Sequence, residues 1–484
     1  MTFILHQHKH TLTLIITLIL CFNVVHNKLI SVLQINRHGA RTPGKIIPSL
    51  QLSNYTNDFI ALYGNNMKLT PNGLSQCKIL GQYMKEKYID KEHFISDVYN
   101  KDEVKFMSTP TQRTIYSLEG FLNGLYPNAI PTVMYNEPTF KDVLYLDSIP
   151  VNDKPHDLIR VPLYVLSNKE NQMFYTKLCK LDDTVLNDED FDLTLHPNIF
   201  NITFSELKST LNDIVKQVNI LANKDTLIDD ELILNSNSNS NSNKFTSESI
   251  SDIIKLVIVH LYHHGIDLDN SSSLSKTSIQ TIRKIILNKW YSSRLKDNKK
   301  LKLEISELFN TVLSHFKNAI SSQRNSFLKS KKYTKYVVYS AHDSAIVSVL
   351  ANILNETELQ ELLYNAVSNK RDYEFLVPPY ASHVVFELHK DEEDNSYYVK
   401  IIYNGKEIKN KLKENVRSSN EGDGIEYNEF KKLIGSRIDK DYKKLSCPKV
   451  NKKNKGRNIV AERIKNVIDD YYFEQKLGEE VPLL

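Results

Sequence analysis

Residues 29–35 (LISVLQI) form a largely apolar, partly β-branched run that stops at NRHGARTPG. A short run of this kind bounded by turn residues predicts a buried strand entering a Gly/Pro loop. Residues 70–88 (TPNGLSQCKILGQYMKEKY) repeat their apolar positions at helical spacing, with Thr70 as N-cap and Pro71 at the first helical position. VKFM at 104–107 reads as a second strand, and STPTQRTIYSLEGFLNGLYP opens a helix that ends near Gly124. The resulting order, β-α-β-α, predicts an α/β sandwich around a mostly parallel sheet.

Between about 145 and 325 the strand signals fade, and charged stretches of helical period replace them, interrupted by NSNSNSNSN at 235–243. This polar repeat cannot bury apolar area and is expected to be a flexible surface loop. Strand character returns at 335–340 (KYVVYS), and a hairpin is expected from HVVFELH (383–389) and SYYVKIIY (396–403). The expected organisation is therefore an α/β core in two halves, 28–144 and 326–484, with a mainly helical cap at 145–325 inserted between them. A last helix is expected around 459–472, after a basic stretch (KVNKKNKGR) read as a solvated linker.

Composition narrows the class. The 484 residues are 41% hydrophobic and 25% charged, and Lys+Arg 62 against Asp+Glu 58 leaves a net charge of +4. No strong field of one sign marks the chain, which argues against a dedicated nucleic-acid binder. Trp290 and the tyrosine-rich stretches are read as core and cap packing. Residues 1–27 stand apart: Lys9 is their only charged side chain, and 11–25 (TLTLIITLILCFNVV) is apolar. This reads as a secretory signal peptide, shorter than the ~20 residues a spanning helix requires. A retained signal anchor is the alternative, and no later stretch is apolar enough to span a membrane. The expected location is secreted, or the lysosomal or vacuolar lumen.

N-x-[ST] sequons at Asn54, Asn201, Asn270 and Asn355 are expected glycosylation positions in such a chain. Beyond the leader lie Cys77, Cys179 and Cys447. Cys179 and Cys447 sit in polar, loop-like contexts and are paired here as a disulfide, while Cys77 lies in an apolar helical pattern and is expected to be a buried thiol. There is no C-x-x-C, and HLYHHG with His260, His263 and His264 has no carboxylate placed to complete a zincin-type pattern. No metal or other cofactor is expected.

The chemistry gathers at strand ends, where ligands bind in parallel α/β sheets. The loop after the first strand carries Arg37, His38 and Arg41 around a glycine, and the loop after KYVVYS carries His342 and Asp343. Arg113 lies in the first turn of the helix that follows VKFM. Arginine forks match phosphate oxygens, and three of them around one histidine repel each other unless an anion is bound. For a phosphomonoester these residues form a mechanism. His38, kept neutral by the arginines, attacks phosphorus; the arginines stabilise the equatorial oxygens; His342 adds a donor; Asp343 protonates the leaving alcohol and then activates water.

RHGARTP at 37–43 with AHD at 341–343 resembles the histidine acid phosphatase family. LTPNGLSQ (69–76), STPTQRT (108–114), NGLYP (123–127) and VPPYAS (377–382) are similar to segments of its prostatic and lysosomal branch. The resemblance implies a phosphoglycerate mutase-like three-layer sandwich and the roles given above for Arg37, His38, Arg41, Arg113, His342 and Asp343. It covers both core halves and is weak across the cap. That branch has further cysteine pairs, and its lysosomal members carry a span near the C-terminus; neither is visible here. The terminal EEVPLL resembles an acidic dileucine signal but is read as a chance match. The expected function is acid phosphatase, with a homodimer left open. The alternatives are a phytase-like phosphatase of the same fold, a phosphoglycerate mutase-like phosphotransferase, and a catalytically silent phosphate-binding protein.

Overall fold

The computed structural model describes residues 27–42, 67–135, 158–167, 174, 202–221, 268–271, 274–291, 295, 298–324, 333–408, 424–440 and 442. The leader up to residue 26, the 235–243 repeat, the 260–264 histidines, the expected 459–472 helix, Asn54, Asn201, Cys179 and Cys447 lie outside these residues.

A central sheet organises the described chain, with strand order β3-β4-β2-β5-β1-β6-β7-β8 and β9 paired to β7. The strands are β1 (Asn27–Arg37), β2 (Val104–Ser108), β3 (Ala129–Tyr135), β4 (Ile159–Val165), β5 (Tyr336–Ala341), β6 (His383–Asp391), β7 (Tyr397–Tyr403), β8 (Lys406–Glu407) and β9 (Ile425–Glu426). The half formed by β3, β4, β2, β5 and β1 is parallel, and β6 to β9 extend it antiparallel. Every residue from Leu29 to Asn36 is buried, as expected for a parallel strand covered on both faces.

Two apolar layers provide that cover. On one face Val32, Phe106, Tyr336 and Val338 pack with Leu80 and Met84 of α1 (Pro71–Lys85) and with Leu118 and Phe121 of α2 (Gln112–Leu125). On the other, Leu33, Ile35, Val337 and Tyr339 share a cluster with helices that follow in the chain. In chain order the α-helices after α2 are α3 (Phe204–Leu221), α4 (Lys276–Trp290), α5 (Asn298–Arg324), α6 (Asp343–Ile353), α7 (Glu356–Ala366), α8 (Lys370–Leu376) and α9 (Tyr427–Ser436), and α4 to α9 contribute to this cluster. Val312 and Phe316 of α5 and Ile346, Val349 and Leu350 of α6 belong to this cluster. Each such aliphatic or aromatic side chain contributes ~1.5–3 kcal/mol on burial. Trp290 is partly buried against the same cluster. The three-layer α/β class read from the sequence is the one observed.

One strand departs from expectation. β4 falls inside the 145–325 interval that the sequence analysis gave to the helical cap, yet it pairs with both β2 and β3 in the central sheet. Arg160, Pro162 and Tyr164 alternate with buried Val161, Leu163 and Val165, so apolar content alone understates the strand. β2 pairs only with Leu163 to Val165, leaving Pro162 beyond that ladder, where its missing N–H is tolerated. The described α-helices of the interval are α3, α4 and α5. Asp213 of α3 accepts from Ser278 Oγ of α4 at 2.7 Å. Arg283 of α4 pairs with Asp269 at 2.6 Å and lies 5.1 Å over the Tyr373 ring of α8.

The antiparallel half contains a buried charge. Glu387 of β6 accepts from Tyr88 Oη at 2.6 Å, Lys87 Nζ at 2.5 Å and His389 Nε2 at 3.1 Å. Burial acts to raise its pKa, but the His389 bond and the Lys87 charge outweigh burial and hold the carboxyl at about 2. A carboxylate depressed in the folded state contributes stability above its unfolded pKa of ~4.3, and that stability is lost as pH falls toward about 2. Glu387→Gln is therefore expected to cost roughly 3 kcal/mol near neutrality, the low end for a broken buried pair because Lys87 can rehydrate. Thermal unfolding of variant and parent at pH 7 and pH 3 checks this: the gap should narrow at pH 3.

Candidate active site

Three neighbouring parallel strands end in register. Arg37 of β1 lies opposite Ala341 of β5, and Ser108 of β2 lies opposite Ser340. The backbone pairing continues past the strand ends: His38 N donates to Ala341 O at 3.1 Å and Thr109 N to Ser340 O at 3.0 Å. His38, Thr109 and His342 are thus delivered side by side at the carboxyl edge of the sheet.

The loop after β1 is stitched to both neighbouring helices. Gly39 N donates to Ser117 Oγ at 3.0 Å, and Ala40 N to Gln76 Oε1 at 2.9 Å. Thr70 caps α1 by accepting from Gly73 N, and its own N–H and hydroxyl both donate to Ala40 O, at 3.0 and 3.1 Å. The contact is too close for side chains: a Cβ on Gly39 would lie 2.0 Å from Gly73 O, and one on Gly73 would lie 2.0 Å from Ala40 O. The LTPNGLSQ segment therefore serves the loop as its platform. Cys77, buried beneath it, is a free thiol that burial pushes up to about 11. It is an inert packing residue at neutral pH.

All six residues singled out from the sequence are brought together. The His38 ring is buried, and Nδ1 lies 2.8 Å from Gly39 O. A carbonyl only accepts, so Nδ1 carries the proton and Nε2 keeps its lone pair. Burial, then the charges of Arg37 and Arg113, hold the His38 pKa well below the ordinary 6.5. The imidazole therefore stays neutral, and nucleophilic at Nε2, in acid solution. The His342 ring centroid is 5.7 Å away, and burial with Arg113 brings the pKa of His342 to about 4.

Arg37 and Asp343 form the pivot, with Nη2 and Oδ2 3.0 Å apart. Asp343 begins α6 and accepts from Ser344 N at 2.8 Å. Burial would raise its carboxyl, but Arg37, His342 and Arg41 together hold it below the usual carboxylate range. The N-terminus of α6 acts in the same direction. Arg113 reaches His342 Nδ1 at 3.4 Å, and burial and Arg41 lower its guanidinium to about 10. Arg41 Nη1 donates to Thr42 O at 2.9 Å. With both histidines neutral, three guanidinium groups against one carboxylate leave an excess of two positive charges. The Nε atoms of Arg37 and Arg113 are buried with no acceptor among the described residues. Such a pocket is matched to a doubly charged tetrahedral oxyanion.

Two contributors were not singled out from the sequence. Tyr380 places its ring 4.1 Å under the Arg37 guanidinium and 5.8 Å from the His38 ring, and Pro378 O accepts from Arg37 Nη1. Their loop is joined to the site by Arg37 N to Ser382 O at 2.8 Å and Ala381 N to His38 O at 3.2 Å. These bonds hold Ala381 at φ 57, a left-handed conformation that costs a non-glycine residue ~1 kcal/mol or more. The second contributor is Thr109, 3.2 Å from His342 Nε2. The VPPYAS and STPTQRT segments were the available signals, but neither indicates which side chain reaches the pocket. Of the sequons, Asn270 is exposed and Asn355 caps α7, accepting from Glu358 N at 2.8 Å.

Comparison with known proteins identifies the family to which this fold belongs. Human prostatic acid phosphatase is 24% identical over 380 residues, covering 76% of this chain and 75% of that protein. A candidate acid phosphatase of Caenorhabditis elegans is 31% identical over 109 residues, and the chain spans only 24% of that relative's length. Among solved structures, the phytase of Citrobacter braakii superposes with a TM-score of 0.52 at 14% identity, covering 86% of this chain and 99% of that one. An apo phytase of Hafnia alvei gives a TM-score of 0.52 at 12% identity, with 87% and 99% covered. These two likenesses concern the fold alone. The profile of the Histidine phosphatase superfamily (branch 2) matches residues 28–404, which take in the sheet through β7 and every residue of the pocket, and the chain belongs to that superfamily.

Proposed function

We propose that this chain is an acid phosphatase that hydrolyses phosphomonoesters through a phosphohistidine on His38. The observation that carries the reading is the pairing of a buried, neutral His38 whose Nε2 is free with an Asp343 carboxylate bound to Arg37 at 3.0 Å. A binding site for phosphate needs the arginines but needs neither of these two groups.

In the first step Nε2 attacks phosphorus and the P–O bond to the leaving group breaks, with Arg37, Arg41 and Arg113 holding the equatorial oxygens. Asp343 gives its proton to the departing oxygen. In the second step Asp343 takes a proton from water, the water oxygen bonds to phosphorus, and the P–N electron pair returns to Nε2. The free pocket holds Asp343 ionised, so its proton has to enter with the substrate. A phosphomonoester carries one proton below its second pKa of ~6. Turnover should therefore fall as pH rises through that value, while His38 stays unprotonated on the acid side because its pKa is depressed.

The expected result for p-nitrophenyl phosphate with EDTA present, from pH 3 to 9, is hydrolysis that is highest below about pH 6. An optimum above neutrality would contradict the proton inventory. Folded protein that binds phosphate without turnover would indicate a silent phosphate-binding protein. The phytase-like alternative rests on fold likeness alone, and relative turnover of phytate and p-nitrophenyl phosphate separates the two. The apolar leader and the sequons support entry into the secretory route, and with it a secreted or lumenal, glycosylated protein carrying the Cys179–Cys447 disulfide. Among the described residues, no helix is long and apolar enough to cross a membrane.

A further inference from the structure

We propose that Thr109, backed by Thr114, is a positioning residue that fixes the tautomer of His342, so that a lone pair rather than an N–H meets Arg113. The proposal deepens the phosphatase reading of the pocket and takes the pocket's role from it.

His342 is contacted at both ring nitrogens. Nε2 lies 3.2 Å from Thr109 Oγ1, and Nδ1 lies 3.4 Å from Arg113 Nη2. A hydroxyl can donate or accept, so the threonine contact alone leaves the tautomer open. The next hydroxyl closes it. Thr114 Oγ1 lies 2.8 Å from Thr109 O and 2.9 Å from Thr111 O, and carbonyl oxygens only accept, so the Thr114 proton is committed to them. Its oxygen is then an acceptor for the Thr109 hydroxyl at 2.9 Å and for the Thr111 hydroxyl at 2.7 Å.

With its proton spent on Thr114, Thr109 can only accept from His342, which places the imidazole proton on Nε2. The Arg113 contact fits the same tautomer without fixing it: guanidinium has donors only, and at 3.4 Å it meets a lone pair on Nδ1 once Thr109 has placed the proton on Nε2. Thr109 and Thr114 are 1% and 0% exposed, so water does not compete for these hydroxyls. The Thr109 backbone is itself held by Ser340 O, two residues before His342.

The opposite tautomer would set an N–H of His342 against an N–H of Arg113 and drive the two side chains apart. In the tautomer selected by Thr109, Arg113 stays beside His342 in the free enzyme. A proton taken up by His342 when an anion enters then arrives at Nδ1, on the Arg113 side. Thr109 itself makes no contact with substrate in this account.

The test uses full-length protein with ring-15N-labelled histidine and no substrate. The His342 signals are identified by their loss in His342→Gln, and long-range 1H–15N correlations distinguish the two tautomers. Wild type and Thr109→Ser should both show the Nε2–H form. Thr109→Val should lose that preference, and kcat/KM for p-nitrophenyl phosphate should fall roughly 10- to 100-fold through misplacement of Arg113, with serine restoring it to within about threefold. Thr114→Val should also shift the tautomer, because it releases the Thr109 proton while leaving the Thr109–His342 contact in place; a merely structural role for Thr109 makes no such prediction.

An Nδ1–H form in wild type, or an unchanged Nε2–H form in both valine variants, would overturn the proposal. If Thr109→Val shows no cooperative melt, Thr114→Val and Thr109→Ser carry the test. The tautomer is read without turnover, so an inactive wild type would remove the phosphatase reading and leave this result standing.

Discussion

Replacing His38 with alanine is expected to lower phosphomonoester turnover by about 10⁴- to 10⁶-fold, the scale of losing a covalent nucleophile. No other described side chain is placed to substitute for it. The His342 ring is 5.7 Å away by centroid and is engaged at both nitrogens, and Asp343 is held by Arg37 and by Ser344 N. The fold should survive, because the side chain of His38 makes one backbone hydrogen bond, to the adjacent Gly39 O, while its loop is held by Ser117, Gln76 and Thr70. Arg37, Arg41 and Arg113 remain, so inorganic phosphate should still bind. Initial rates, together with phosphate titration and a thermal melt of the same sample, separate lost chemistry from lost structure. Residual turnover within tenfold of the parent would remove His38 as nucleophile.

Asp343→Asn is expected to be the next most damaging change, and its effect depends on the leaving group. For an alkyl phosphate, whose alkoxide needs a proton as the P–O bond breaks, the loss should be about 10²- to 10⁴-fold. For p-nitrophenyl phosphate, whose phenolate leaves readily, the loss should be much smaller in the first step. Asparagine retains an oxygen to accept from Ser344 N and has nearly the same volume, so the start of α6 is preserved. It also removes the one carboxylate facing Arg37 at 3.0 Å, which makes the pocket more positive. Inorganic phosphate should then bind more tightly and inhibit more strongly. Parallel kcat values for an alkyl and an aryl substrate, with phosphate inhibition constants, measure both effects. Equal losses on the two substrates would remove Asp343 from the general-acid role.

Much of this site is legible in the chain because its residues are clustered there. Arg37, His38 and Arg41 sit within five positions, and His342 and Asp343 are adjacent, each group directly after a strand that reads as an apolar run because both its faces are covered. What brings the groups together is register, which local pattern does not reveal. Thr109 meets His342 because Ser108 pairs with Ser340, and Tyr380 lies under Arg37 because Ser382 O accepts from Arg37 N. β4 was overlooked for a related reason: with Arg160, Pro162 and Tyr164 on its less buried face, it has neither a continuous apolar run nor strong strand propensity at every position. The ionised state of Asp343 follows from the approach of Arg37, His342 and Arg41, so the sequence could offer Asp343 as the proposed proton donor without showing where its proton would originate.

The measurement that tests the central claim most directly is capture of the intermediate. Full-length protein mixed with 32P-labelled phosphomonoester at acid pH is quenched in alkali within the first turnovers and digested. The account predicts label that is stable to alkali and labile to acid, confined to the peptide containing His38 and absent from the His38→Ala protein. Turnover without bound label at any quench time, or label on another residue, would contradict it.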